Sequence, residues 1–142
     1  MKRRGVITLA SVLALSAVGV GATALRARQE PGVVRPASPD VRAPADARIR
    51  VRVLNATRTR GLARRVTRYL RDRGFDVVES GTSREQRDST LVIDHSHHAD
   101  WAALVGKAMG ARVVSRPDSS RYLDVTVLVG ASWQPPPEAF HP

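Results

Sequence analysis

Between Ile49 and Val78 the hydrophobic period changes twice, and that confines the chain to an α/β arrangement. Ile49, Val51 and Val53 alternate with Arg48, Arg50 and Arg52, the period-2 pattern of a strand with one buried and one wet face. Leu62, Val66, Tyr69 and Leu70 then fall at i, i+4, i+7 and i+8, an apolar stripe on a helix whose other side carries arginine. Gly74 suits the left-handed cap that ends such a helix, and Phe75, Val77 and Val78 restart a strand.

The same grammar recurs from Thr90 to Val114. Leu91, Val92 and Ile93 form a short apolar strand; Trp101, Leu104, Val105, Ala108 and Met109 keep helical spacing; Gly110 stops the helix; Val113 and Val114 begin a strand. Matching Val53 with Ile93 makes the first strand-to-helix passage four residues longer, since 21 positions separate Val53 from Gly74 and 17 separate Ile93 from Gly110. After the turn formers Pro117, Asp118 and Ser119, Leu123, Val125, Val127 and Val129 alternate as a fifth strand. The predicted order is β-α-β-β-α-β-β, an α/β two-layer sandwich with both helices on one face of a mixed sheet. The other face is expected to be wet, carrying Arg50, Arg52, Asp124 and Thr126, with Arg–Asp pairing across strands. About 85 residues suffice for one independent core.

Residues 1–25 place this domain. Met1-Lys2-Arg3-Arg4 precedes a run from Gly5 to Leu25 that is uncharged over 21 residues, matching the ~20 needed to span a bilayer as a helix. The basic start keeps the N-terminus cytoplasmic and sends the rest outside as a single-pass protein of the cytoplasmic membrane. Cleavage after Ala24 is the competing account, because Ala22-Thr23-Ala24 reads as a small-x-small site; the product would be secreted or periplasmic. The length of the run and the arginines at 26 and 28 favour an uncleaved anchor. Residues 26–47, with four prolines and no apolar period, read as a linker of up to ~60 Å at ~3.1 Å per residue. The domain then occupies 48–133, and the proline-rich stretch 134–142 is expected to be a disordered tail.

A net charge of +10 raises nucleic acid as a partner. Arginine supplies 21 of the 23 basic residues, and five of the 23 flank the membrane segment. Arg58, Arg60, Arg64, Arg65, Arg68 and Arg71 gather on the loop and outer face of the first helix, and the informative ones are Arg58, Arg60, Arg64, Arg68 and Arg71, which follow Asn55 and Thr57. Arg64, Arg68 and Arg71 recur at i, i+4 and i+7, so they form a stripe. These seven residues are the candidate anion- or partner-binding set, although a solvated arginine face and local turn formation by Asn55 and Thr57 explain the same residues without a ligand. No aromatic side chains interleave with the arginines, so a nucleic-acid-binding or regulatory role is disfavoured.

Asp94-His95-Ser96-His97-His98-Ala99-Asp100 offers metal-ligand chemistry at a spacing that matches no closed site. A polar loop with Ser96 or a nearby residue capping the second helix is the plainer reading, and metal binding is an alternative function. No nucleophile elbow, phosphate-binding glycine loop or carboxylate pair is present, so no enzymatic activity and no cofactor are expected. The absence of cysteine is compatible with an exported domain that relies on its core.

Val51-x-Val53-Leu54-Asn55-Ala56-Thr57, Gly61-Leu62-Ala63, Val66, Leu70 and Gly74-Phe75-x-Val77 together resemble the LytR C-terminal domain family. Ala102-x-Leu104, Met109-Gly110-Ala111 and Asp124-Val125-Thr126-Val127-x-Val129-Gly130 are similar to its second half. The resemblance covers 48–133 and implies an anchored bacterial envelope protein. Some members follow a LytR–CpsA–Psr domain that transfers glycopolymers to the wall; this sequence lacks that domain, so its activity does not carry over. The family supplies no catalytic residues to transfer, and the 94–100 loop is richer in histidine than its pattern. The expected function is a membrane-tethered, non-enzymatic domain binding an envelope polymer or an envelope-assembly protein.

Overall fold

The computed structural model describes residues 36–118 and 122–136. The expected membrane segment, the first part of the linker and the end of the tail lie outside these residues. Among the described residues no helix is long and apolar enough to cross a membrane.

The elements follow the predicted order: β1 (Arg50–Asn55), α1 (Leu62–Arg71), β2 (Asp76–Thr82), β3 (Leu91–Asp94), α2 (Ala99–Met109), β4 (Arg112–Ser115) and β5 (Val125–Val129). The strands form one sheet in the order β2-β1-β5-β3-β4, parallel within each β-α-β unit and antiparallel only between β3 and β5. Val53 and Val92 lie opposite Val127 from its two sides, and Asn55 and Asp94 lie opposite Val129 and Val125. The two units are therefore related by an approximate twofold through Val127. This register corrects the expected match of Val53 with Ile93. Asn55 corresponds to Asp94, and the spans to Gly74 and Gly110, 19 and 16 positions, make the first passage longer by three residues, not four.

Both helices end alike. Phe75 N–H reaches Leu70 C=O and Gly74 N–H reaches Arg71 C=O; Ala111 and Gly110 repeat this on Gly106 and Lys107. Each is a Schellman cap, and the glycines carry the positive φ it needs, 82° at Gly74 and 62° at Gly110. The helices bury Leu62, Val66, Tyr69 and Leu70 on one side and Ala102, Val105, Ala108 and Met109 on the other against the valines of β1, β3 and β5. Trp133 packs edge-on against Tyr69, with ring centroids 5.7 Å apart, and the Tyr69 hydroxyl donates to Ala108 C=O at 2.7 Å, tying α1 to α2.

The helix-free face is less wet than expected. Arg50 and Arg52 are half-exposed, but Asp124 and Thr126 are buried, at and beside the central strand β5, where Arg50 bonds to Asp124 and His95 to Thr126. Arg50 donates to Asp124 through its backbone N–H, Nε and Nη2 at 2.8, 3.1 and 3.2 Å. That hydrogen-bonded pairing holds the Arg50 pKa above its ordinary value, against the opposing effect of desolvation. The expected cross-strand Arg–Asp pair is thus present, and Arg52–Glu79 adds a more exposed one at 2.8 Å.

Residues 38–47, expected to be part of the linker, lie on the domain. Ser38 N–H donates to Lys107 C=O, Ala43 N–H to Arg73 C=O, and Arg42 Nη1 to Asp72 C=O, while Val41, Ala43 and Ala47 pack on the core. This strap satisfies the Asp72 and Arg73 carbonyls just past α1 and adds a second bond to Lys107 C=O, which already accepts from Gly110.

Candidate functional site

The first β-α passage builds the candidate site. Asn55 Oδ1 accepts from the N–H and hydroxyl of Thr57 at 3.0 and 2.8 Å; Thr57 Oγ1 accepts from Thr59 N–H at 3.0 Å; Asn55 Nδ2 donates to Thr59 C=O at 2.8 Å. Asn55 and Thr57 are consumed in shaping the loop, as short polar side chains commonly are. What the loop presents is Arg58 and Arg60, both exposed, ahead of an α1 N-terminus that has no side-chain cap and no acidic residue in its first turn.

The seven-residue candidate set separates into different places, while its stripe stays together. Arg64, Arg68 and Arg71 line one concavity of about 290 Å³ together with Thr67 and Asp72. Arg71 is held there by a 2.7 Å bond to Val77 C=O, whereas the Thr67 hydroxyl is buried with no hydrogen-bond partner among the described residues. Thr57 and Arg58 instead line a second concavity of about 350 Å³, with Ala56, Thr59, Gln86, Arg87, Asp88 and Ala131. Arg60 lines neither of these two. Charge pairing separates the arginines in the same way: Arg48, Arg50 and Arg52 have Asp76, Asp124 and Glu79, but Arg58, Arg60, Arg64 and Arg68 have no carboxylate partner among the described residues.

Gln86 and Arg87 were not foreseen. They belong to the polar connection between β2 and β3, which the backbone fastens to the sheet: Arg87 N–H donates to Ala56 C=O and Ala131 N–H donates to Arg87 C=O. Charge was the only signal in the sequence, and nothing local told that this arginine sits beside Arg58.

The histidine loop repeats the first passage's bonding. Asp94 Oδ1 accepts from Ser96 N–H and hydroxyl at 2.9 and 2.8 Å, and Ser96 Oγ accepts from His98 N–H at 3.0 Å. Ser96 thus closes the loop, and the helix N-cap residue, His98, makes no side-chain cap bond. The histidines diverge: His95 spans Arg116 C=O and Thr126 Oγ1, and His98 stacks on Trp101 at 4.0 Å. Among the described residues no three histidine or acidic side chains are grouped as metal ligands.

No curated protein and no solved structure matches the chain. Residues 48–133 match the family described as LytR cell envelope-related transcriptional attenuator. That match spans the two β-α-β units, β5 and both arginine-lined concavities, and it covers more than half of the sequence: the chain belongs to the LytR_C family, a cell-envelope-related domain.

Proposed function

We infer that this protein is a membrane-tethered, non-enzymatic domain on the outer side of the cytoplasmic membrane that binds an anionic envelope polymer. The observation that carries the reading is the α1 concavity, where Arg64 and Arg68, without carboxylate partners among the described residues, and Arg71, held by Val77 C=O, outnumber the single carboxylate of Asp72. Guanidinium groups so placed recognise phosphate or carboxylate oxygens. Tethering is supported by the basic start and the uncharged run of residues 5–25. A binding role is favoured over catalysis because Asn55, Thr57, Asp94, Ser96 and His95 are engaged in holding loops and the sheet.

Co-sedimentation of the full-length chain with isolated cell-wall material tests the reading. Arg64→Glu with Arg68→Glu should weaken retention about tenfold at low salt, and added salt should weaken the parent in the same direction. Undiminished retention of the double variant at low salt would overturn it. Retention that survives removal of wall polymer but needs wall proteins would identify an envelope-assembly protein as the partner instead.

A further inference from the structure

We propose that the concavity between the β1–α1 loop and the β2–β3 connection is a second binding site, one that takes an acidic sugar unit. The proposal rests on the reading that the ligand is an envelope polymer, and it names the chemistry of the unit recognised. At about 350 Å³ the concavity is at the small end of the ~300–1,000 Å³ range of ligand pockets.

Its lining combines two kinds of group. Arg58 and Arg87 supply guanidinium donors for an anionic oxygen. Arg87 is set for this: its backbone N–H and C=O are fastened to Ala56 and Ala131, while its side chain stays partly exposed at the concavity. Glu85, its ion-pair neighbour, is 4.0 Å from Nη1, too far for a hydrogen bond, and is itself exposed. Asp88, by contrast, places a carboxylate at the same concavity. A bare phosphate or carboxylate would be repelled by it, whereas a ligand that also carries hydroxyls can donate to it. Gln86 and Thr59 add groups that both donate and accept, and the exposed Ala131 provides a small apolar contact for the CH face of a ring. An anion and a set of hydroxyls on one compact unit describe a sugar carrying a carboxylate or a phosphate.

Arg58 and Arg87 come from segments 29 positions apart in sequence, and neither lines the α1 concavity. A polymer bearing such units can therefore engage both sites on one molecule, which raises its retention beyond that of either site.

Titration of the full-length chain with four small probes tests the proposal: a hexuronic acid, a hexose phosphate, the neutral hexose and inorganic phosphate. At least one acidic sugar should bind about tenfold more tightly than both the neutral hexose and inorganic phosphate, and the better of the two identifies the acid. Arg87→Gln and Arg58→Ala should each lower that affinity several-fold, and Arg87→Lys should restore part of it. Arg58 is exposed on the loop, so its variant reports on binding even if Arg87→Gln impairs folding. Equal binding of acidic and neutral sugar, binding of inorganic phosphate as tight as that of the acidic sugar, no binding of any probe, or indifference to Arg58→Ala would each overturn the proposal. Arg58→Ala should lower the acidic-sugar affinity by the same factor in the Arg64→Glu, Arg68→Glu background as in the parent, so failure here is distinct from failure of the α1 groove in co-sedimentation.

Discussion

The two β-α-β units share their fastenings and differ in what lies between them. In each, an Asx side chain at the end of a strand accepts the N–H and hydroxyl of the Ser or Thr two residues on, whose oxygen accepts the next-but-one N–H. Each helix then ends in the same Schellman cap. Between clasp and cap the first unit has three more residues, puts Arg58 and Arg60 on the surface and closes its loop with the Asn55 amide. The second is short and leans on the sheet through His95. Fixed ends allow the length and charge of the intervening loop to change without moving the strands. Recognition chemistry can accordingly gather at one end of a nearly symmetrical molecule.

Glycine contacts provide the most severe way to break that comparison. A Cβ on Gly130 would lie 2.3 Å from Ser89 C and within 2.7 Å of two backbone oxygens, where the β2–β3 connection crosses the end of β5. A Cβ on Gly106, in the second unit, would meet the Val113 Cγ2 methyl at 2.6 Å and the Ala111 carbonyl oxygen at 3.2 Å; Val113 is exposed, so its side chain has room to shift. Gly130→Ala should cost ~3 kcal/mol or more in denaturant unfolding and Gly106→Ala roughly half that. Equal losses would mean that the connection is not seated as rigidly as its hydrogen bonds to Ala56 and Ala131 require.

An exchange of the clasp residues sharpens the comparison at the next level. Asn55→Ala and Asp94→Ala each strand two donors and should cost about 2 kcal/mol. Asp94→Asn keeps an oxygen acceptor and should cost under ~1 kcal/mol. Asn55→Asp loses the amide donor and sets a carboxylate against Thr59 C=O, 2.8 Å from the present nitrogen, so it should cost more than its counterpart. Indistinguishable melting temperatures for the two exchanges would remove the distinction drawn between the loops.

The smallest effect concerns Tyr69, which joins the helices of the two units. Burial raises its pKa above the usual ~10, outweighing the lowering by Arg73, whose guanidinium carbon lies 3.6 Å from the ring centre. The folded state holds the phenol proton more tightly than the unfolded chain does. This contribution is therefore complete below about pH 10 and is lost as pH rises from there through the folded value. Stability of the parent should decline more steeply above pH 10 than that of Tyr69→Phe; parallel curves would contradict the assignment.

Element order, helix ends and the paired Arg50–Asp124 were legible because each has a local signature: a change of period, a glycine after the last apolar residue, and alternation that fixes which side chains share a face. The register of β3 was not, because Leu91, Val92 and Ile93 are all apolar and a run without alternation does not reveal which of them faces the helices. Burial singles out Val92. The strap over the helix ends has no such signature, because it is held by backbone N–H groups and small side chains, which leave no periodic trace. Of the candidate site, the α1 stripe could be read from helical spacing, whereas Arg87 reaches Arg58 only through tertiary pairing.

The place of β5 gives the chain an order of events. The two units share no strand pairing except through β5, which is the central strand and the last of the five to be synthesised. Until it emerges, each unit is a two-stranded parallel ribbon with one helix, too small to bury its own valines. Folding must therefore wait for the C-terminal strand and proceed with long-range closure, the slow kind. A nascent or prematurely ended chain would present the inner edges of β1 and β3 as open templates for another molecule's strand.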